Sequence, residues 1–391
     1  MIFEKKFIQT PRLIDNHLIH ATILYYNNSI SQWQSLINFN QIKLIDRNRI
    51  LINQLPVNTI PKTLLFLTTG VIIGIIISSI FWITYDRRSG SPDHKELREQ
   101  GYQYISPLLE CESFSQSGSI QTKTSIKTLN TLIENYQQQG YVKDVSIYYR
   151  DLNNGPWFSI NDDVNYDPAS LLKVPILIAY LKKAEAEPNI LSKKISLNLD
   201  EGVISQKFNS AEKIIEGQEY EVEKMLEQLI VDSDNTVLET LAEFIGEDAI
   251  KSTEIKMGLI DDEQADIDFT IKVKDYSSVF RRLYNASYLN NEMSEKALKL
   301  LSKTKFDQGL KAGIPENVEV AHKFGERTFV DRSNQPLFKE LHDCGIIYHQ
   351  KNPYILCVMT SGEDLLKQAS LIKEVSTSVY KMVDVQTFDT Q

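Results

Sequence analysis

Ser170 and Lys173 stand three residues apart, Ser233-Asp234-Asn235 follows further along the chain, and Lys323-Phe324-Gly325 lies far downstream. A serine, two lysines and a short polar triplet are the parts of a serine acyl-transfer site. They supply a hydroxyl to be acylated, an amine to take its proton, and groups to orient the acyl donor. Each motif is weak alone. Further Ser and Lys pairs at the same spacing begin at Ser210, Ser302, Ser370 and Ser378, so context must choose among them.

Ser170 has the context a nucleophile needs. The run Val142 to Ser159 reads as two strands joined by a turn at Asn153-Asn154-Gly155, with apolar residues such as Val145, Ile147 and Tyr149. Asp167 is then suited to cap a helix whose first residue is Pro168, the position where a missing N–H costs least. Ser170 falls in the first helical turn, where unpaired N–H groups and the positive dipole end stabilise an oxyanion. Lys173 follows about one turn later on the same face. Desolvation under the apolar run Val174 to Leu181 lowers the pKa of the amine, so that it can take the Ser proton at neutral pH. The plainer alternative is a helix-start serine with a solvated lysine. Ser233-Asp234-Asn235 occurs once, between the amphipathic segment Glu221 to Ile230 and a helical segment Thr236 to Ile245. Such a loop either points small polar groups into a cleft or caps a helix.

Together the motifs resemble those of the penicillin-recognising serine enzymes, above all the class A β-lactamases. The resemblance covers residues 119–391. It implies Ser170 as the acylated nucleophile, Lys173 as its proton acceptor and Ser233 as proton shuttle to the leaving nitrogen. Asn235, Lys323 and Gly325 become substrate-binding residues, and the backbone N–H groups of Ser170 and Glu326 the oxyanion hole. It further implies an α+β fold, an antiparallel sheet flanked by helices with an all-helical part inserted at about residues 182–302. The strands would lie near Val142 to Ser159, Val318 to Phe324, Cys344 to Tyr348 and Tyr354 to Thr360. The implied partner is a small-molecule β-lactam or a D-alanyl cell-wall peptide, with neither metal nor cofactor.

Two departures from that pattern bear on activity. Phe324 stands where the family carries Thr or Ser, and it offers no hydrogen bond to a substrate carboxylate. Carboxylate recognition then rests mainly on the Lys323 charge. The family's Glu-x-x-Leu-Asn pattern, whose Glu activates the deacylating water, is absent. The corresponding stretch, Glu247 to Asp268, is short and passes into a helix at Lys274-Asp275-Tyr276. Glu263, Asp266 and Asp268 are the acidic residues best placed to substitute, and a solvated acidic turn is the plainer reading. An enzyme that deacylates slowly, in the manner of a D,D-peptidase, follows from these departures. So does a non-catalytic envelope scaffold that kept the fold.

The remaining chain says where this chemistry happens. Leu64 to Ile83 carries no charge and is followed by Tyr85, so residues 64–85 read as one transmembrane helix. Residues 1–63 carry a net +4 and the remainder −14, which favours a cytoplasmic N-terminal region of unknown role and an extracytoplasmic catalytic domain at the cell membrane. Residues 86–118 read as a linker, with Ile105 to Cys111 suited to pack on the domain as an extended arm. The acidic balance argues against a nucleic-acid partner. Cys111, Cys344 and Cys357 lack metal-ligand spacing and read as free thiols. His322 either lines the cleft beside Lys323 or faces the other side of its strand.

Overall fold

The computed structural model describes residues 98–107, 120–153, 155–197, 207–208, 215–260 and 269–386, with Gly74 and Ser78, both helical. The chain divides into two units, Met1–Arg88 and Ser89–Gln391. All three motifs belong to the second. The apolar stretch 64–85 lies outside the described residues apart from Gly74 and Ser78, as do residues 1–63 and 108–118. No helix among the described residues is long and apolar enough to cross a membrane.

In chain order the second unit begins with α1 (Ile120–Gln138), β1 (Asp144–Asp151) and β2 (Trp157–Ile160), then a 3-10 turn at Ala169–Leu172 and α2 (Lys173–Ala184). A short hairpin, β3 (Lys194–Ser196) and β4 (Glu219–Glu221), precedes α3 (Val222–Val231), α4 (Leu238–Ile245), α5 (Glu247–Lys256), α6 (Val273–Tyr284) and α7 (Asn291–Leu301). The chain then returns through β5 (Val320–Val330), β6 (Pro336–Ile347) and β7 (Tyr354–Gly362), and ends in α8 (Leu365–Gln386).

The five long strands make one antiparallel sheet in the order β2-β1-β7-β6-β5. β7 is buried along its whole length, as a central strand covered on both faces must be. One face carries Val145, Ile147, Tyr149, Leu356 and Val358 against Leu129 and Ile133 of α1 and Leu371, Ile372, Val375 and Val379 of α8. The helical residues recur at the spacing of one apolar stripe. The other face, with Ile355, Cys357 and Met359, packs against the helices of the inserted part. α2 lies at the centre of that second core, buried from Lys173 through Leu181. A helix apolar on every side has no solvent face, so the lysine at its start is desolvated by the same pattern that fixes the helix.

Two expectations are modified. The inserted part is not wholly helical, because among the described residues it holds the β3–β4 hairpin. Cys344 and Cys357 are not free thiols: they stand opposite each other on neighbouring strands β6 and β7 and form a disulfide. Strand register makes this pairing, and residue spacing alone does not reveal it. With three cysteines in the chain, alkylation of the denatured, unreduced protein is expected to add one label and alkylation after reduction three. Two added labels fewer without reduction, read by intact mass, distinguish this from a set of free thiols.

The expected arm, Ile105 to Cys111, is described as far as Pro107, and its start docks on the domain. Tyr104 and Ile105 are buried, and the Glu295 carboxylate accepts the backbone N–H groups of Gln103, Tyr104 and Ile105 at 3.0–3.2 Å. One carboxylate holding three consecutive amides fixes the entry of the chain into the domain.

Candidate active site

The turn that carries Ser170 follows from a single backbone irregularity. Ala169 adopts φ +47°, a conformation that L side chains rarely take, and it prevents the α-helix from beginning at Pro168. Ser170 therefore sits in a 3-10 turn one step before α2, and the first α-helical residue is Lys173. Asp167 does cap this turn, its Oδ1 accepting the Ala169 N–H at 2.8 Å. The cap is a local turn bond and not the helix cap expected from the sequence.

The same Asp167 is gripped on every polar group. Glu340 accepts its N–H at 3.0 Å, His342 Nε2 lies 3.0 Å from its carbonyl oxygen, and Arg327 donates to its Oδ2 at 2.7 Å. From the other side, the buried Tyr276 hydroxyl donates to the Leu171 carbonyl at 2.9 Å. The unusual φ at Ala169 is thus held by contacts on both sides of it, as strain at a functional turn requires. None of these residues stands out in the sequence, since each acts across a separation no local pattern records.

Ser233 carries a second positive φ, +55°, in the loop between α3 and α4. Asp234 closes that loop by accepting from the backbone N–H and the hydroxyl of Thr236 at 2.9 and 2.8 Å. Its role is a turn cap, which leaves its two neighbours to face the cleft. Ser233 Oγ lies 3.2 Å from Lys173 Nζ and 2.8 Å from Lys323 Nζ. Lys173 Nζ also donates to Asn235 Oδ1 at 2.6 Å and to the Ser233 carbonyl at 2.5 Å. The three motifs, scattered along the sequence, thus meet at one hydroxyl.

Burial sets the electrostatics here. It lowers the Lys173 ammonium to a pKa of about 7, against a smaller opposing effect of the Asp234 carboxylate. Burial, reinforced by the Lys173 charge, also holds Lys323 well below the ordinary lysine range. A lysine poised near neutrality has an amine free to accept a proton, which an ordinary surface lysine does not.

β5 is an edge strand of the sheet, and its cleft face bears Ala321, Lys323 and Gly325. Gly325 serves close packing: a Cβ there would stand 3.0 Å from the Pro168 carbonyl oxygen and 3.1–3.2 Å from Leu171. The strand period of two settles His322, which points to the opposite face and bonds Asp343 Oδ1 at 2.8 Å. Asp343 Oδ2 in turn accepts the Leu310 N–H. The buried His–Asp pair is structural, and the alternation along β5 was the signal that could have assigned it. Phe324 takes the same face, 1% exposed and stacked on Phe306 at 4.4 Å. The side chain of Glu326 accepts the backbone N–H groups of Lys207 and Phe208, and burial holds its carboxyl above the usual range.

Glu263, Asp266 and Asp268 lie outside the described residues. Among the described residues no cluster of His, Cys, Asp and Glu could hold a metal ion.

A family model described as the beta-lactamase enzyme family matches residues 124–383. Among solved structures, PBP-A is 18% identical, with 66% of this chain and 96% of that chain aligned at a TM-score of 0.55. TLA-1 extended spectrum beta-lactamase is 17% identical over 66% of this chain and 98% of its own, with a TM-score of 0.54. A class A beta-lactamase representative from Bacteroides cellulosilyticus is 16% identical over 68% and 99%, with a TM-score of 0.56. At such identities the likeness is one of fold. No curated protein matches the chain in sequence.

Proposed function

Because the chain belongs to the beta-lactamase enzyme family, we propose that it is a serine acyl hydrolase acting on β-lactam or D-alanyl amides through a Ser170 ester. One observation carries this reading: Ser233 Oγ lies within hydrogen-bonding distance of both Lys173 and Lys323, and Lys173 is also bonded to Asn235. A scaffold has no need of that convergence, which keeps two costly buried lysines on one hydroxyl.

In the proposed reaction the neutral Lys173 amine takes the Ser170 proton as Oγ attacks the acyl carbonyl. The backbone N–H groups of Ser170 and Glu326 receive the developing oxyanion, a device worth about 3 kcal/mol per donor. As the C–N bond breaks, Ser233 passes its proton to the leaving nitrogen and recovers one from the lysines beside it. Asn235 orients the substrate amide and Lys173 together. The product of this half-reaction is the Ser170 ester, with the amine released from a D-alanyl amide and retained within the opened ring of a β-lactam.

A solved acyl-enzyme complex of penicillin G with a mutant of PBP-A supports penicillin as a probe. The Cys344–Cys357 disulfide supports an extracytoplasmic, oxidising location, and the charge-free stretch 64–83 supports a single membrane anchor. Incubation of the full chain with a chromogenic cephalosporin tests the hydrolase. Multiple turnovers are the outcome that fits it, and one colour equivalent per protein indicates a peptidase-like trap. No colour and no adduct would leave only the scaffold.

A further inference from the structure

We infer that the cleft between β1 and α6 binds a phosphate dianion, free or as a small monoester, through residues the acyl-transfer site does not use. Strand register sets the floor of this cleft as a row. Arg150 of β1 pairs with Trp157 on β2 and with Ile355 on β7, so the three side chains leave the sheet on one face. Tyr148, two residues earlier, shares that face and stacks on Trp157 at 6.0 Å. Arg150 is 8% exposed and lines a cleft of about 250 Å3. Among the described residues neither a hydrogen bond nor an ion pair meets its side chain. A guanidinium carries five donors and keeps its proton. Burying one without a partner destabilises the fold, and a bound anion offsets that penalty.

The opposite wall is α6. Lys274, Ser277, Ser278 and Arg281 recur at the i, i+3, i+4, i+7 spacing of one helical face, and all four line the cleft with Arg150. Serine at the two central positions leaves space that larger side chains would fill. Both hydroxyls are satisfied locally: Ser277 donates to the Val273 carbonyl at 2.6 Å, and Ser278 accepts from Arg282 at 2.6 Å. Lys274 Nζ lies 4.8 Å from the Trp157 ring centroid, which holds an exposed ammonium over the floor of the cleft. Three cations therefore face one acid, Asp275. The local excess of two positive charges matches a dianion, and a guanidinium meets a phosphate with two parallel N–H donors. Chloride offers no such fit.

Calorimetric titration of the full chain with inorganic phosphate and with methyl phosphate, in chloride buffer at constant ionic strength, tests the site. Saturable binding of at least one of them, with a Kd of about 1 mM or tighter, is expected. The tighter of the two shows whether the site takes free or esterified phosphate. Arg150→Met is expected to weaken binding about tenfold or more, the scale of a lost hydrogen bond to a charged group. Asp275→Asn, which removes the one opposing charge, is expected to tighten it about twofold. If Arg150→Met does not fold, Lys274→Gln, a change at an exposed side chain, takes its place with a loss of about threefold. Heats no different from those of added chloride overturn the inference. So does an affinity unchanged by loss of the cation, or weakened in Asp275→Asn.

Discussion

Lys173→Met is expected to slow acylation of Ser170 by about a hundred- to ten-thousand-fold while leaving the protein at least as stable as before. The two effects have opposite signs because one property produces both. Burial at the start of α2 lowers the Lys173 pKa from 10.5 to about 7, which creates a base at neutral pH and imposes a folding penalty. Between those two pKa values the unfolded chain binds a proton that the folded chain lacks, so stability rises with pH across that window. Below pH 7 both states are protonated and the full cost of burying the ammonium is present, on the order of 5 kcal/mol. Methionine, similar in length and uncharged, removes that cost and also forfeits the bonds to Asn235 and Ser233. Melting temperatures of the two proteins at pH 6 and pH 10 check the argument. The variant's advantage should be largest at pH 6 and shrink toward pH 10, and a variant less stable at pH 6 would contradict it. In the unmodified protein the acylation rate should rise as pH increases through about 7, since the neutral amine is the active form.

Gly325→Val is expected to reduce acylation about a hundredfold, the scale on which small displacements of a reacting group act. The glycine is required by space: even one added carbon would stand 3.0 Å from the Pro168 carbonyl and 3.2 Å from the Leu171 nitrogen. Valine's two further methyl groups must push the turn that carries Ser170 away from β5. That displacement separates the turn from the Glu326 amide and works against the Asp167 contacts that hold it. Overpacking of this kind also destabilises, by about 1–3 kcal/mol. Gly325→Ala should fall between the two proteins in rate. An acylation rate for Gly325→Val within threefold of the unmodified protein would show that the strand and the turn do not need this close approach.

Much of the site was legible in the sequence because its parts are short and typed by chemistry. Lys173, Ser233, Asn235 and Lys323 are singled out by motif, and the structure brings both lysines to the Ser233 hydroxyl and Asn235 to Lys173. The sheet and helices were legible from period: the strands near Val145 and Cys344, and the helices near Glu221, Thr236 and Lys274, lie where their apolar spacing put them. Features set by register and long-range contact escaped. Cys344 faces Cys357 only because β6 and β7 pair in one register. Asp167 is held by Glu340 and His342 from a strand far along the chain, and no local pattern announces such a grip. The direction of Phe324 was present in the strand period, but a motif read as a string conceals that its second residue turns away from the cleft. The start of α2 was displaced because the backbone at Ala169 is a conformation that residue type does not predict.

The central claim is that Ser170 is the acylated nucleophile, and the mass of the protein after exposure to a penicillin tests it most directly. The full chain should gain the mass of one penicilloyl group, borne on the peptide containing Ser170, and Ser170→Ala should gain none. An unlabelled wild-type protein, or an adduct that survives Ser170→Ala, would contradict the account.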